Sequence, residues 1–295
     1  MNIDIFKPIG LCFGVKNTLD KIYEIENTYK DKEIILFGPV VHNEIILNDL
    51  VKDGFKIINT KNLLEEEKIN ILNSLNKNSL VIFQAHGTIN KYKDILLKNN
   101  VLFFDLTCRV INDNKLLIEK ALKNNKKVIF VGKKEHDETK SILDNFKNIY
   151  LYDIKEGFIK EKPNKNDDIE VFYQTSLSIN TYNLIKEKLG NYYSLIHENC
   201  SLCPNILVRQ KNIINSKNIY DLVLVIGSTT SSNTKELYNM FLMKFKNRDV
   251  KLINNLNDLK NIDFKKVNNV LLMSGTSASN KTIDEIINFL NHIKN

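Results

Sequence analysis

The sequence predicts an α/β protein of three small α/β lobes with mainly parallel sheets, arranged around a pseudo-threefold axis. Three observations predict it. Three of the four cysteines, Cys12, Cys108 and Cys203, recur at intervals of 96 and 95 residues. Three apolar runs end in glycines, Gly38, Gly132 and Gly227, which recur at intervals of 94 and 95 residues. The same order of helix pattern, apolar run and polar loop follows each cysteine, and a period of this kind marks an internal repeat. The repeat places the lobes at 14–108, 109–200, and 201–295 together with 1–13.

In chain order, the segments after the cysteines come first. Val15 to Tyr29, Lys115 to Asn124 and Ile206 to Ser216 carry apolar residues three and four positions apart, the period of a helix with one buried face. Each is followed by a β-rich run, Glu33 to Phe37, Lys127 to Val131 and Leu222 to Ile226, which is continuously apolar rather than alternating. Such runs suit strands covered on both faces, as in parallel sheets flanked by helices. The glycines then open polar loops: Gly38 to Asn43 with His42, Gly132 to Glu138 with His136, and Gly227 to Asn233 with Ser231, Ser232 and Asn233. The second half of each unit repeats the pattern. Ser79 to Phe83 runs into Gln84-Ala85-His86-Gly87-Thr88, Glu170 to Tyr173 into Gln174-Thr175-Ser176, and Val270 to Met273 into Ser274-Gly275-Thr276-Ser277-Ala278. Parallel sheets bind ligands beyond the carboxyl ends of their strands, where all six loops fall.

Composition narrows the function classes. With 295 residues, 43% hydrophobic and 26% charged, the chain has the make-up of a globular protein with a sizeable core. No apolar stretch approaches the roughly 18 residues of a membrane span, and the N-terminus lacks the pattern of a signal peptide, so a cytoplasmic protein is expected. The net charge of +7 comes from lysines interleaved with Glu, Asp and Asn. Arginine occurs only at Arg109, Arg209 and Arg248, which argues against a nucleic-acid partner and for a solvated surface that attracts acidic partners or small anions. Four cysteines are too few for a disulfide scaffold of this size.

Three thiolates meeting on an axis, with no fourth on the period, leave a metal centre with one open position. Zinc is one reading, as in a hydrolase or lyase acting on a phosphorylated metabolite. A cubane [4Fe–4S] cluster, which has its own threefold axis, matches better, because soft sulfur ligands suit it and three cysteines leave one iron open. A cluster protein without turnover, an iron or redox sensor, is a third reading. Histidines and hydroxyl and amide donors at helix starts make a pocket suited to phosphate or diphosphate. Glu138 is the prominent carboxylate among these loops. His197 and His292 lie off the strand-end loops and read as structural.

These residues carry a family resemblance over nearly the whole chain. The stretches are Gly10-Leu-Cys12-Phe-Gly14-Val15, Gly38-Pro-Val-Val-His42-Asn43, Ala85-His86-Gly87, Asp105-Leu-Thr107-Cys108, His136-Asp-Glu138, Gln174-Thr175-Ser176-Leu-Ser178, Cys203 with Arg209-Gln210, Gly227-Ser228 with Ser231-Ser232-Asn233, and Gly275-Thr276-Ser277-Ala278. In this order they resemble the LytB/IspH family of 4-hydroxy-3-methylbut-2-enyl diphosphate reductases, which close the non-mevalonate route to isoprenoids. The resemblance implies a [4Fe–4S] cluster on Cys12, Cys108 and Cys203, and a diphosphate held by His42, His86, His136, Ser231, Ser232, Asn233 and Ser277. It implies proton delivery by Glu138, with Thr175 orienting the substrate's hydroxymethyl group, and electrons from a flavodoxin or ferredoxin. The chain departs from the family pattern at Lys133, Asp137, Thr230 and Ser279. It also carries Cys200 three residues before Cys203; Cys203 fits the period and the spacing to Arg209, and Cys200 stands as a substitute.

Overall fold

The computed structural model describes residues 1–217, 219–246 and 248–294. In chain order the first third contains β1 (Asn2–Ile5), α1 (Phe13–Thr28), β2 (Glu33–Phe37), α2 (Glu44–Lys52), β3 (Lys56–Ile58), α3 (Glu65–Ser74), β4 (Ser79–Phe83), α4 (Asn90–Lys98) and β5 (Leu102–Asp105). The middle contains α5 (Arg109–Lys123), β6 (Lys127–Gly132), α6 (Asp137–Asn145), β7 (Ile149–Asp153), β8 (Gly157–Phe158), β9 (Asp168–Tyr173), α7 (Ile179–Tyr192) and β10 (Leu195–Glu198). The last third contains α8 (Pro204–Asn215), β11 (Leu222–Ile226), α9 (Ser232–Lys244), β12 (Asp249–Ile253), β13 (Asn269–Ser274) and α10 (Asn280–Lys294).

The strands form three sheets of one topology: β1-β13-β11-β12, β5-β4-β2-β3 and β10-β9-β6-β7-β8. The pairings are parallel except the short β7–β8 pair. In every sheet two neighbouring inner strands, β13–β11, β4–β2 and β9–β6, are the long apolar runs, and one edge strand leads into a cysteine: β1 into Cys12, β5 into Cys108 and β10 into Cys203. The chain start joins its end through β1, whose Asn2 to Ile5 pair with Asn269 to Leu272.

By packing, the chain forms two compact units. One comprises Met1–Lys16, Val41–Asp49 and the chain from Cys203 onward, and holds the sheet of β1, β13, β11 and β12. Its core packs Leu222, Leu224, Ile226, Val270 and Leu272 against Ile283, Ile286 and Leu290 of α10. The other comprises Asn17–Val40 and Leu50–Leu202, and holds the remaining two sheets. There Phe37, Val81 and Phe83 pack with Leu72, Tyr92 and Leu96, while Val128, Phe130 and Phe172 pack with Ile118, Ala121 and Ile142. Each fully buried aliphatic side chain contributes about 1.5–3 kcal/mol, so the inner strands anchor the loops that leave their ends.

The helices differ from the sequence reading mainly at their starts. α5 begins at Arg109 rather than Lys115; its first turns bury Ile111 and Asn114, leave Val110 half-buried and expose Arg109, Asn112 and Asp113, too mixed a set to show the helix period. α8 begins at Pro204, where a residue lacking an N–H loses nothing.

Candidate active site

The cysteine loops are built alike. The carbonyls of Cys12, Cys108 and Cys203 accept from the amides of Lys16, Asn112 and Leu207, so each cysteine is the residue that opens a helix. Cys108 and Cys203 are the N-caps of α5 and α8. The Val15 amide donates to Cys12 Sγ at 3.4 Å. A helix start offers unpaired N–H groups and the positive end of the dipole, a setting that suits anionic sulfur ligands. All three cysteines are half-buried and none of the four forms a disulfide. Cys200 is exposed, opens no helix and lies against the Tyr182 hydroxyl. Among the described residues, no three His, Cys, Asp or Glu side chains are gathered around one point as ligands of a single metal ion.

In the first unit, Arg209 is fully buried and donates to the carbonyls of Gly10, Asn205 and Ser274 at 2.8–3.2 Å. Burial pulls its pKa down, and Coulomb interaction with the nearby Cys12 and Cys203 opposes that shift. A buried cation without a carboxylate is costly unless another anion compensates it. Metal-bound thiolates at Cys12 and Cys203 would supply that compensation, so the buried guanidinium fits a sulfur-ligated, negatively charged group.

Around Cys12 the unit gathers five more of the predicted residues. The Cys12 amide donates to the Thr276 carbonyl at 2.9 Å, and Asn233 Nδ2 to Thr276 Oγ1 at 3.3 Å. Ser277 Oγ donates to the His42 carbonyl, and Asn43 Nδ2 to the Ser277 carbonyl at 2.7 Å, so the 41–44 segment is pinned to the loop after β13. Ser231 caps α9 by accepting from the Thr234 amide, and Ser232 is its first residue. Asn233 Oδ1 is buried without a hydrogen-bond partner. Gly275 permits this close approach, because a Cβ there would meet Thr234 Oγ1 at 2.1 Å.

In the second unit, β9 and α6 deliver the buried acid. Glu138 is 1% exposed in the first turn of α6, whose N-cap is His136; the His136 Nδ1 accepts from the Glu138 amide at 3.2 Å. Its two carboxyl oxygens accept from the Thr175 amide and from Thr175 Oγ1, both at 2.8 Å. Burial pushes the Glu138 pKa up to about 7, against the opposing pull of the Thr175 hydrogen bonds and of Lys115. The group is therefore shared between its acid and base forms near neutral pH. His86 lies edge-on to His136, ring centres 6.0 Å apart, and burial followed by the His136 charge pulls its pKa down to about 3. His86 is therefore a neutral imidazole near neutral pH.

Sequence reasoning named Glu138 and Thr175 but not that one residue occupies both oxygens of the other. Arg209, Asn43 and Thr276 stand in it only as members of motifs, and Lys115 only as a residue of a helix pattern. The scarcity of arginine was the one available signal for Arg209.

Parallel sheets that present capped helix starts, imidazoles and a buried near-neutral carboxyl at their strand ends define an anion-binding α/β protein equipped for proton transfer. The chain belongs to the LytB protein family, whose pattern it matches over residues 3–291. It is 29% identical over 292 residues to the 4-hydroxy-3-methylbut-2-enyl diphosphate reductase of Malacoplasma penetrans, covering 98% of this chain and 97% of that one. The protein of the same name from Buchnera aphidicola subsp. Schizaphis graminum is 30% identical over 298 residues, covering 98% and 90%. A Fusobacterium nucleatum relative of that name is longer, and this chain, 28% identical to it, spans 34% of its length. The structure of the E-1-hydroxy-2-methyl-but-2-enyl-4-diphosphate reductase from Plasmodium falciparum is similar with a TM-score of 0.81 at 25% identity, covering 98% of this chain and 87% of that one.

Proposed function

We propose that this chain is a 4-hydroxy-3-methylbut-2-enyl diphosphate reductase that removes the substrate's hydroxyl as water, taking up two electrons and two protons to give isopentenyl and dimethylallyl diphosphate. The family membership and the names of the full-length relatives support the reaction. The observation that carries the chemistry is the buried Glu138–Thr175 pair.

Cys12, Cys108 and Cys203 would hold a [4Fe–4S] cluster, whose three like-built ligand loops support the three-lobe reading with lobes at 14–108, 109–200, and 201–295 plus 1–13. When bound, such a cluster supplies electrons singly and leaves one iron without a protein ligand. Glu138 holds the proton that the leaving hydroxyl takes. In its protonated form its O–H donates to Thr175 Oγ1, whose own O–H is then free to turn to the substrate's hydroxymethyl oxygen, while the Thr175 amide fixes the other carboxyl oxygen. A pKa near 7 keeps both states populated at working pH, the condition for efficient general acid catalysis. His42, His86, His136, Ser231, Ser232, Asn233 and Ser277 would hold the diphosphate by N–H and O–H donation. Proton uptake by His86 accompanies binding if the dianion raises its depressed pKa.

Among the described residues, no helix is long and apolar enough to cross a membrane. A cytoplasmic setting, and an acidic flavodoxin or ferredoxin as electron donor, belong to the same proposal. The test is anaerobic assay of the purified protein with the diphosphate substrate and a chemical reductant, followed by product analysis. Isopentenyl and dimethylallyl diphosphate are the expected products. A cluster-loaded protein that forms neither is a sensor and not this reductase, and phosphate release without reduction is a hydrolase.

A further inference from the structure

Glu138 has a charged neighbour that the reaction scheme above does not use. Lys115, half-buried in the second turn of α5, reaches across to α6 and donates from Nζ to Ser141 Oγ at 2.8 Å. Ser141 is fully buried one helical turn after Glu138, and its own hydroxyl donates to the Thr88 carbonyl at 3.1 Å, in the loop that carries His86. The serine thus spends its proton on one element and accepts from another, and the ammonium is docked rather than solvated. Gly87 keeps the passage open. Its φ is +102°, and a Cβ there would sit 2.7 Å from Ser141 Oγ and 4.0 Å from Lys115 Nζ.

The charges around this pair are few. From α4 and β5 come Lys93 and Asp105, ion-paired with each other. From α6 come Asp144, which accepts from the Asn90 amide, and Glu138 itself. His136 at the start of α6 and His86 opposite it complete the set. Of these, Lys115 is the cation whose charge favours the ionised form of Glu138.

We propose that Lys115 is a positioning residue for proton delivery: its ammonium, docked on Ser141, brings a positive charge to the turn that follows Glu138 and holds α6 against the His86 loop. The inference rests on the reading of Glu138 as proton donor. Without the ammonium, a carboxyl already raised by burial rises further, keeps its proton to higher pH and yields it less readily.

The test is an infrared pH titration of the as-isolated protein, reading the protonated-carboxyl band that Glu138→Gln abolishes, together with the pH profile of kcat. In Lys115→Met the band's midpoint is expected to move up by about half a pH unit or more, a displacement typical of losing one nearby opposite charge. The descending limb of kcat should move with it. Lys115→Arg should restore both midpoints, and Ser141→Ala should give an intermediate displacement. An unmoved band in a folded Lys115→Met protein overturns the proposal. A band that moves while the kcat limb stays put removes Glu138 from proton delivery and, with it, the positioning role, while leaving the electrostatic coupling measured.

Discussion

Glu138 concentrates the residue-scale account. Replacing it by Gln keeps its size and leaves a group that cannot relay a proton, so turnover should fall by about 10²–10⁴ while the substrate's Kd changes little. Rates and binding measured on the same cluster-loaded preparation check this, and an unchanged kcat would contradict it. The same residue imprints the pH dependence of stability. Its ordinary pKa of 4.5 holds in the unfolded chain and about 7 in the fold, so between those values the folded protein binds the extra proton and stability falls as pH rises. His86 acts in the other window. With 6.5 unfolded and about 3 folded, the unfolded chain binds the proton, and stability is lost as pH falls from 6.5 toward 3. Thermal unfolding of Glu138→Gln should therefore lose less stability between pH 5 and pH 8 than wild type; equal losses would contradict the burial of a titrating carboxyl. Both residues were legible in the sequence because they sit on repeated strand-end loops. Lys115 and Arg209 were not, since what matters about them is a tertiary partner: Ser141 for one and the carbonyls of Gly10 and Ser274 for the other. Asp137, noted as a departure, has a partner of its own in Gln84, whose Nε2 donates to it at 2.9 Å.

At the scale of elements, the period of the sequence is the period of the sheets. The inner strands β2, β4, β11 and β13 were legible to within a residue because they are continuous and buried. The edge strands β1, β5 and β10 were not, since they are four residues long and mostly half-exposed, too short and too mixed to show a pattern. They explain why the cysteines repeat: each edge strand feeds a helix through one of them. Cys203→Ser should accordingly abolish cluster retention and Cys200→Ser preserve it, read as iron per chain after anaerobic reconstitution; the reverse would move the third ligand to Cys200. The repeat also left a mark inside α6 and α9. Thr139 and Thr234 face the strand-end glycines Gly132 and Gly227, and both hydroxyls are buried without a hydrogen-bond partner. An unsatisfied buried hydroxyl costs about 1–3 kcal/mol, so Thr234→Val should be neutral or stabilising in chemical denaturation. A loss of more than about 1 kcal/mol would show that the hydroxyl has a partner such as an ordered water.

For the whole molecule, the charge is the feature most open to test. A protein of net charge +7 with its lysines spread along the chain should collect an acidic redox protein by long-range attraction. The second-order rate with such a donor should drop as salt rises, while the rate with a small neutral reductant stays level. Equal salt dependence would detach the surface charge from electron delivery. Above all, the three helix-opening cysteines should hold an iron–sulfur cube with one iron left free of protein ligands. The most direct measurement is a metal and acid-labile sulfide count on anaerobically prepared protein, made alongside its visible spectrum. About four iron and four sulfide per chain in a brown protein are expected. A colourless protein with one zinc per chain and no sulfide would contradict it.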